Sequence, residues 1–388
     1  MKTNPFNKNR FNGLAHTIML KRVSIQNFKS LKDVTLDLQK VNLLIGPNNS
    51  GKTNFLKALE FFSLGGLGSQ KITELESVSY KHKRVDIKYE FDFVPNPDEY
   101  MAQTYGKEGR DKYHYVQVLE VKDGGDFIYV DTKNDDWFVD EHDEKSDIQT
   151  FGGDRREFFE YMSTKVFRPD PLKLVQPVKF SADEVHLLAD CSNLISFYFY
   201  LENNLKKVAR NIQGDLSKCI PEISYFTTPP VKTGNESLIG LRFFDKEENG
   251  FWANEVSEGV LYFLALLCII HQPNPPKLLL LEEPERGIHP RRIWEVMKFI
   301  FQLAEEKDVQ VILTSHNEHV VNAFSSMPEA VFVFDKDEAT IVKNLLTEII
   351  EPSHKKSEEL GLDKIDFTEN LGENWLYGLL GGVPTDND

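Results

Sequence analysis

Gly46-Pro47-Asn48-Asn49-Ser50-Gly51-Lys52-Thr53 is the stretch that decides the fold. The octet fits GxxxxGK[ST], and its flanks give the match meaning. Val41 to Ile45, a short apolar run, predicts a buried strand before it; Lys52 to Phe62 predicts a helix after it. Each part has a physical purpose. The glycines let the backbone curl until its N–H groups point inward at phosphate oxygens. The helix start adds partial positive charge. Lys52 offers a mobile ammonium to β- and γ-phosphates, and the Thr53 hydroxyl is a ligand for Mg²⁺.

Three further signals follow downstream. Leu278-Leu279-Leu280-Leu281-Glu282-Glu283-Pro284 predicts a strand buried on both faces and tipped by two carboxylates. Beside a phosphate loop, Glu282 is placed to hold the Mg²⁺ shell and Glu283 to orient or deprotonate water. Ser257-Glu258-Gly259 opens a predicted helix. Ser257 reads either as its N-cap or, with the helix N-terminus, as a γ-phosphate binder for a second subunit's nucleotide. His316 follows the predicted strand Val309 to Thr314, where it reaches the γ-phosphate or the attacking water.

Outward from these motifs, strands and helices alternate. Val23, Ile25, Phe28, Val34, Leu36 and Leu38 mark an opening strand pair, and residues 80 to 132 read as antiparallel strands, with clean alternation from Val85 and from Tyr113 to Val121. Residues 153–164 and 181–216 read as helical, with one long helix from Leu194 to Ile212 ending in the basic cluster Lys206, Lys207 and Arg210. Residues 222–254 read as strands. Then come a helix from Ser257, a strand at Lys277 to Leu281, a helix from Arg291 to Glu305, and strands at Val309 to Thr314 and Ala330 to Phe334. Such alternation implies a mainly parallel sheet covered by helices.

Composition bounds the function. The 388 residues, 40% hydrophobic, suffice for one large domain with an insertion or for two domains. A formal net charge of -16 argues against a nucleic-acid coat while leaving a local basic groove open. Cys191, Cys219 and Cys268 are far apart and form neither a disulfide framework nor a zinc cluster, so a reducing, cytoplasmic setting is expected. Met1 to Arg10 has no apolar core, so no secretory signal is expected. The longest apolar run, Val260 to Ile270, is too short to span a bilayer.

Taken in order, the four elements resemble the ABC-ATPase core of SMC, RecF and OLD-type proteins. In that resemblance Gly46 to Thr53 is Walker A, Ser257-Glu258-Gly259 the signature, Leu278 to Glu283 Walker B and His316 the switch histidine. Val23-Ser24-Ile25-Gln26-Asn27-Phe28-Lys29-Ser30 is similar to the opening strand of that class, in which a basic residue near Lys29 approaches the nucleotide. Glu283 to Pro290 resembles the stretch from Walker B into the D-loop. The resemblance covers about residues 20 to 340, loosely between 65 and 250. Ser192-Asn193-Leu194 and Gly372-Glu373-Asn374-Trp375-Leu376-Tyr377-Gly378-Leu379-Leu380-Gly381-Gly382 look like standalone OLD-like ATPases of bacterial defence systems, which often accompany a small nuclease or toxin. Departures are Glu282 where an aspartate is usual and SEG in place of SGG. The only Q-loop glutamine candidate is Gln117. Asp335-Lys336-Asp337 reads as a hairpin turn, and no TOPRIM nuclease domain is expected after the core.

The resemblance implies an α/β fold: a P-loop ABC-ATPase head with a mixed, mainly parallel sheet, an antiparallel β subdomain and a helical insertion. The expected division is a leader at 1–18, an N-terminal lobe at 19–150, a helical insertion at 151–220, a C-terminal lobe at 221–345 and a helical tail at 346–388. ATP and Mg²⁺ are the expected cofactors. Nucleotide contacts are expected from Lys29, Gly46, Pro47, Asn48, Asn49, Ser50, Gly51, Lys52, Thr53, Asn54, Ser257, Glu258 and Gly259, with Thr53 and Glu282 on the metal and Glu283, His316 and Lys52 catalytic. The expected working form is a nucleotide-sandwiched homodimer or higher oligomer. It would control a small effector, with DNA a possible partner and no membrane. A RecF-like repair ATPase is the alternative, and a transporter subunit the third reading.

Overall fold

Val41 to Ile45 lies at the heart of the molecule because every one of its residues is buried and both of its edges are paired. The structure, a computed structural model, describes residues 19–61, 63, 80, 85–92, 112–121, 127–133, 163–179, 186–233 and 236–383. The expected leader, the acidic segment near 135–147 and all but the last two residues of the helix expected over 153–164 lie outside them; Ser163 and Thr164 are described and are not helical.

The chain opens with β1 (Met19–Phe28) and β2 (Leu31–Asp37), an antiparallel hairpin, then β3 (Val41–Ile45) and α1 (Lys52–Phe61). Strands β4 (Val85–Asp92), β5 (Lys112–Val121) and β6 (Phe127–Lys133) extend the hairpin into a five-stranded antiparallel sheet, ordered β2-β1-β4-β5-β6. Next come β7 (Val166–Phe167), α2 (Pro171–Leu174), α3 (Leu194–Asn204) and α4 (Lys206–Cys219). Five short strands follow: β8 (Tyr225–Thr227), β9 (Pro230–Thr233), β10 (Glu236–Ile239), β11 (Arg242–Phe244) and β12 (Gly250–Trp252). The remainder is α5 (Glu258–His271), β13 (Leu278–Glu282), α6 (Ile293–Glu306), β14 (Gln310–Thr314), α7 (Glu318–Asn322), β15 (Val331–Lys336), β16 (Thr340–Asn344), α8 (Glu351–Leu360) and α9 (Leu371–Leu376).

The main sheet runs β16-β15-β3-β14-β13-β7, parallel throughout except for the β15–β16 hairpin. A parallel sheet must be covered on both faces, and alternate residues divide accordingly. Leu43, Ile45, Leu279, Leu281, Val311 and Leu313 enter one core with α3 to α6. Leu44, Leu278, Leu280, Ile312, Phe332 and Phe334 enter a second core with α1 and the β1–β2 hairpin. Each such side chain contributes roughly 1.5–3 kcal/mol by leaving water. Buried Gln310 ties the two sheets together, accepting from Leu20 N at 3.1 Å and donating to Leu20 O at 2.8 Å and Gln39 O at 2.9 Å.

The expected fold class holds: an α/β head with a mixed, mainly parallel sheet and a separate antiparallel sheet. The β15–β16 hairpin turns at Asp337 to Ala339, with Asp337 N donating to Ala339 O, whereas Asp335 and Lys336, read as part of the turn, pair within the strands because their backbones continue the ladder to Ile341 and Thr340. Val260 to Ile270 lies inside the buried helix α5. The single helix expected from Leu194 to Ile212 is instead broken at Leu205 (φ -129, ψ 56). Asn203 and Asn204 explain the break, because their side-chain amides donate to the carbonyls of Phe199 and Tyr200 and compete with the ladder. Residues 186–193, read as helical, are turns, with Asn193 closing the loop onto Leu188 N and His186 O. Among the described residues no helix is long and apolar enough to cross a membrane.

Candidate functional site

The carboxyl ends of β3, β13 and β14 lie side by side, and each delivers one motif to the same place. The loop after β3 curls through positive φ at Gly46 (145), Asn49 (64) and Gly51 (108). A Cβ on Gly46 would collide with the Phe334 carbonyl, and one on Gly51 with the Thr340 side chain, so only glycine fits the curl. Ser30 and Thr340 brace the loop from outside. Their hydroxyls lie 2.8 Å apart, Thr340 donates to Ser50 O at 2.9 Å, and Asn54 donates to Ser30 at 2.9 Å. Asn54, expected at the nucleotide, is thus engaged in bracing the loop.

Lys52 is only 5% exposed. Its ammonium donates to Gly46 O at 2.8 Å, Pro47 O at 2.7 Å and Ser50 Oγ at 3.3 Å, so it lies within its own loop. Burial pushes it down to about 8, against the pull of Glu283 and then Glu282. Thr53 Oγ1 donates to Glu282 Oε1 at 2.7 Å. A hydroxyl and a carboxylate this close are a hard-oxygen pair that fits Mg²⁺, which takes one or two such ligands and fills its shell with phosphate and water oxygens. The longer glutamate side chain therefore spans the distance to Thr53.

Glu283 is held at φ 47, a left-handed conformation rare for a side-chain-bearing residue. Its N–H is fixed by Thr314 O at 3.2 Å and Thr314 Oγ1 at 3.3 Å. The same turn sets Glu283 Oε1 3.6 Å from His316 Nε2, both about one-third exposed. Burial, then the charge of Lys52, holds His316 below the usual histidine value, while Glu283 opposes them. A neutral imidazole beside a carboxylate is suited to accept or share a proton with water.

Glu285 lies beneath this pair, 7% exposed. It accepts from the Ser315 hydroxyl, which in turn accepts from Asn317 N at 2.9 Å. Burial pushes the Glu285 carboxyl up to about 7, against the Ser315 hydroxyl. The Ser257 hydroxyl makes no capping bond to α5, although Ser257 occupies the N-cap position. Ser257 and Glu258 are exposed. Gly259 packs on Gly287 so closely that a Cβ would collide with the Gly287 carbonyl. Lys29, at φ 48, sits over the Phe28 ring at 5.7 Å and is lowered by burial and by Lys57.

Sequence reasoning missed two residues. Gln117, the Q-loop candidate, is mid-strand in β5 of the antiparallel sheet, paired in register with Ile87 and Thr132. The tip of the strand beside β13 carries Arg168 instead, its Nη1 3.5 Å from Glu282 Oε2. A strand as short as Val166–Phe167 has no periodicity to read. Glu285 was visible only as one acid in an acidic run.

The family described as "AAA domain, putative AbiEii toxin, Type IV TA system" matches residues 41–322. The chain belongs to this family. Its motif order and fold are similar to those of ABC-class ATPases of the SMC, RecF and OLD kind, and its sequence matches such proteins over short stretches. It is 43% identical over 42 residues to an OLD nuclease of Thermus scotoductus, a match covering 11% of this chain and 8% of that one. It is 40% identical over 65 residues to the DNA replication and repair protein RecF of Psychromonas ingrahamii, covering 16% and 17%. The chain therefore aligns with under a fifth of the length of either relative. In fold it is similar to the Smc head of Pyrococcus furiosus with an extended coiled coil, bound to the C-terminal domain of ScpA. That likeness has 13% identity, covers 89% of this chain and 100% of the other, and has a TM-score of 0.53.

Proposed function

We propose that the protein is an ATP-driven switch working as a nucleotide-sandwiched dimer in the cytoplasm, and that it is the sensor or scaffold subunit of an anti-phage system controlling a nuclease or toxin. The observation that carries the catalytic part is the convergence of Lys52, the Thr53–Glu282 pair and the Glu283–His316 pair at three neighbouring strand ends.

In this reading Gly46 to Thr53 grips the phosphates through backbone N–H groups and the Lys52 ammonium. Thr53 and Glu282 would hold Mg²⁺, which would supply charge neutralisation at the phosphate oxygens. Glu283 takes a proton from water as its oxygen bonds to the γ-phosphorus and the bond to the ADP oxygen breaks; His316 supports that water. The exposed Ser257 hydroxyl, which makes no capping bond to α5, and the Gly259 backbone act on the γ-phosphate bound by a second copy. Hydrolysis parts the copies, and the helices α2 to α4 read out the movement.

Light scattering with and without Mg-ATP tests the switch. Glu283→Gln is expected to cut kcat about 10²- to 10⁴-fold and to double in mass only with ATP. Lys52→Ala is expected to lose at least about tenfold in ATP affinity and never to double. ATP binding unchanged in Lys52→Ala would sink the site assignment. The defence role is tested by plating phage on cells carrying the gene with its neighbours. Protection is expected to vanish in Lys52→Ala, and equal plaque counts with and without the gene would reject the role. The RecF match supports a second reading, DNA-end binding, for which duplex affinity falling steeply with salt is the mark.

A further inference from the structure

The two oxygens of Glu282 have different partners. Oε1 accepts from Thr53 at 2.7 Å, and Oε2 faces the Arg168 guanidinium at 3.5 Å. Glu282 is 11% exposed and Arg168 57%, so the carboxylate is fixed and the arginine head can swing into solvent. The position of Arg168 is built in. Val166 and Phe167 pair in register with Leu280 and Leu281, which brings the next residue of each strand level. Arg168 N then donates to Ala189 O at 2.9 Å and Asp170 N to Asp190 O at 3.0 Å, pinning the backbone on which the guanidinium pivots. Asp170 caps α2, which packs against α5.

A carboxylate that accepts a hydroxyl on one oxygen and faces a guanidinium across an ion pair on the other has its negative charge already partly offset. A divalent cation entering beside Thr53 needs that same charge. We propose that Arg168 competes with the divalent cation for Glu282 and thereby sets the metal concentration at which the site engages nucleotide. Arg168 is a positioning residue in this scheme: it acts through Glu282 and leaves the reacting atoms untouched. The scheme rests on the reading of Glu282 as a metal ligand.

The test titrates Mg²⁺ into the full-length protein with a fluorescent ATP analogue and reads the Mg²⁺ midpoint of nucleotide binding, together with affinity in EDTA. Arg168→Ala is expected to lower the midpoint about two- to fivefold, the size expected for a half-exposed ion pair, and to leave affinity in EDTA unchanged. Arg168→Lys is expected to restore the wild-type midpoint. A midpoint that stays or rises in Arg168→Ala overturns the competition, as does a fall that lysine leaves uncorrected. Reduced affinity in EDTA would overturn it too, by making Arg168 a phosphate ligand. Glu282→Ala separates the metal reading from the competition. If its midpoint equals wild type, the metal reading of Glu282 is wrong. If its midpoint rises while that of Arg168→Ala stays put, only the competition is wrong.

Discussion

Glu285 shows what a single carboxyl costs when it is buried for position. Its unfolded value is near 4.5 and its folded value about 7, so folding favours the neutral form. The stability it contributes is complete below about pH 4.5, is lost as pH rises through 7, and is level above. The gap amounts to roughly 3 kcal/mol at one pKa unit per 1.36 kcal/mol. Glu285→Gln keeps a neutral amide beside Ser315. The variant is therefore expected to match wild type near pH 5 and to exceed it by up to that amount at pH 8. Urea unfolding of both proteins at four pH values checks this, and parallel curves would refute it. The same residue marks the limit of sequence reading at this scale. Lys52, Thr53, Glu283 and His316 could be picked out because they end or follow runs whose pattern declares a strand or a helix start. Glu285 and Arg168 draw their roles from a buried hydroxyl and a neighbouring strand, neither of which has a local signature.

At the scale of elements, β3, α1, β13 and β14 were legible because a continuous apolar run between polar tips can fold in few ways. The break at Leu205 was not, since two asparagine side chains decide it against an unbroken apolar pattern. Nor was the docking of α9. Gly372 lies so close to α7 that a Cβ would collide with the Glu318 carbonyl, and its N–H donates to Asn322 Oδ1 at 2.8 Å. At the other end of the segment a Cβ on Gly382 would strike Val333, with Gly46 Cα also near, and Trp375 Nε1 donates to Gly382 O at 3.2 Å. The tail thus spans from the helix after His316 to the first glycine of the phosphate loop. Gly372→Val is expected to cost about 1–3 kcal/mol and to undock α9. The buried Trp375 indole would then shift its emission to the red; an unshifted spectrum with an unchanged melting temperature would contradict the docking.

For the whole molecule, the sheet order governs assembly. β3 pairs with β14 on one side and β15 on the other, strands more than 250 positions downstream. Loop closure over such separations costs entropy before any contact returns it. A fragment ending at Glu306 lacks both neighbours. It is expected to show no cooperative melt and no ATP binding, and a sharp transition with nucleotide protection would disprove the dependence. The same arrangement bears on biosynthesis. Leu43, Leu44 and Ile45 leave the ribosome early, yet the strands that cover them are made only after most of the polypeptide has emerged. At ~5–20 residues per second this apolar strand waits tens of seconds with both hydrogen-bonding edges open, and no ribosome-bound intermediate that lacks β14 and β15 has the sheet that flanks its phosphate loop.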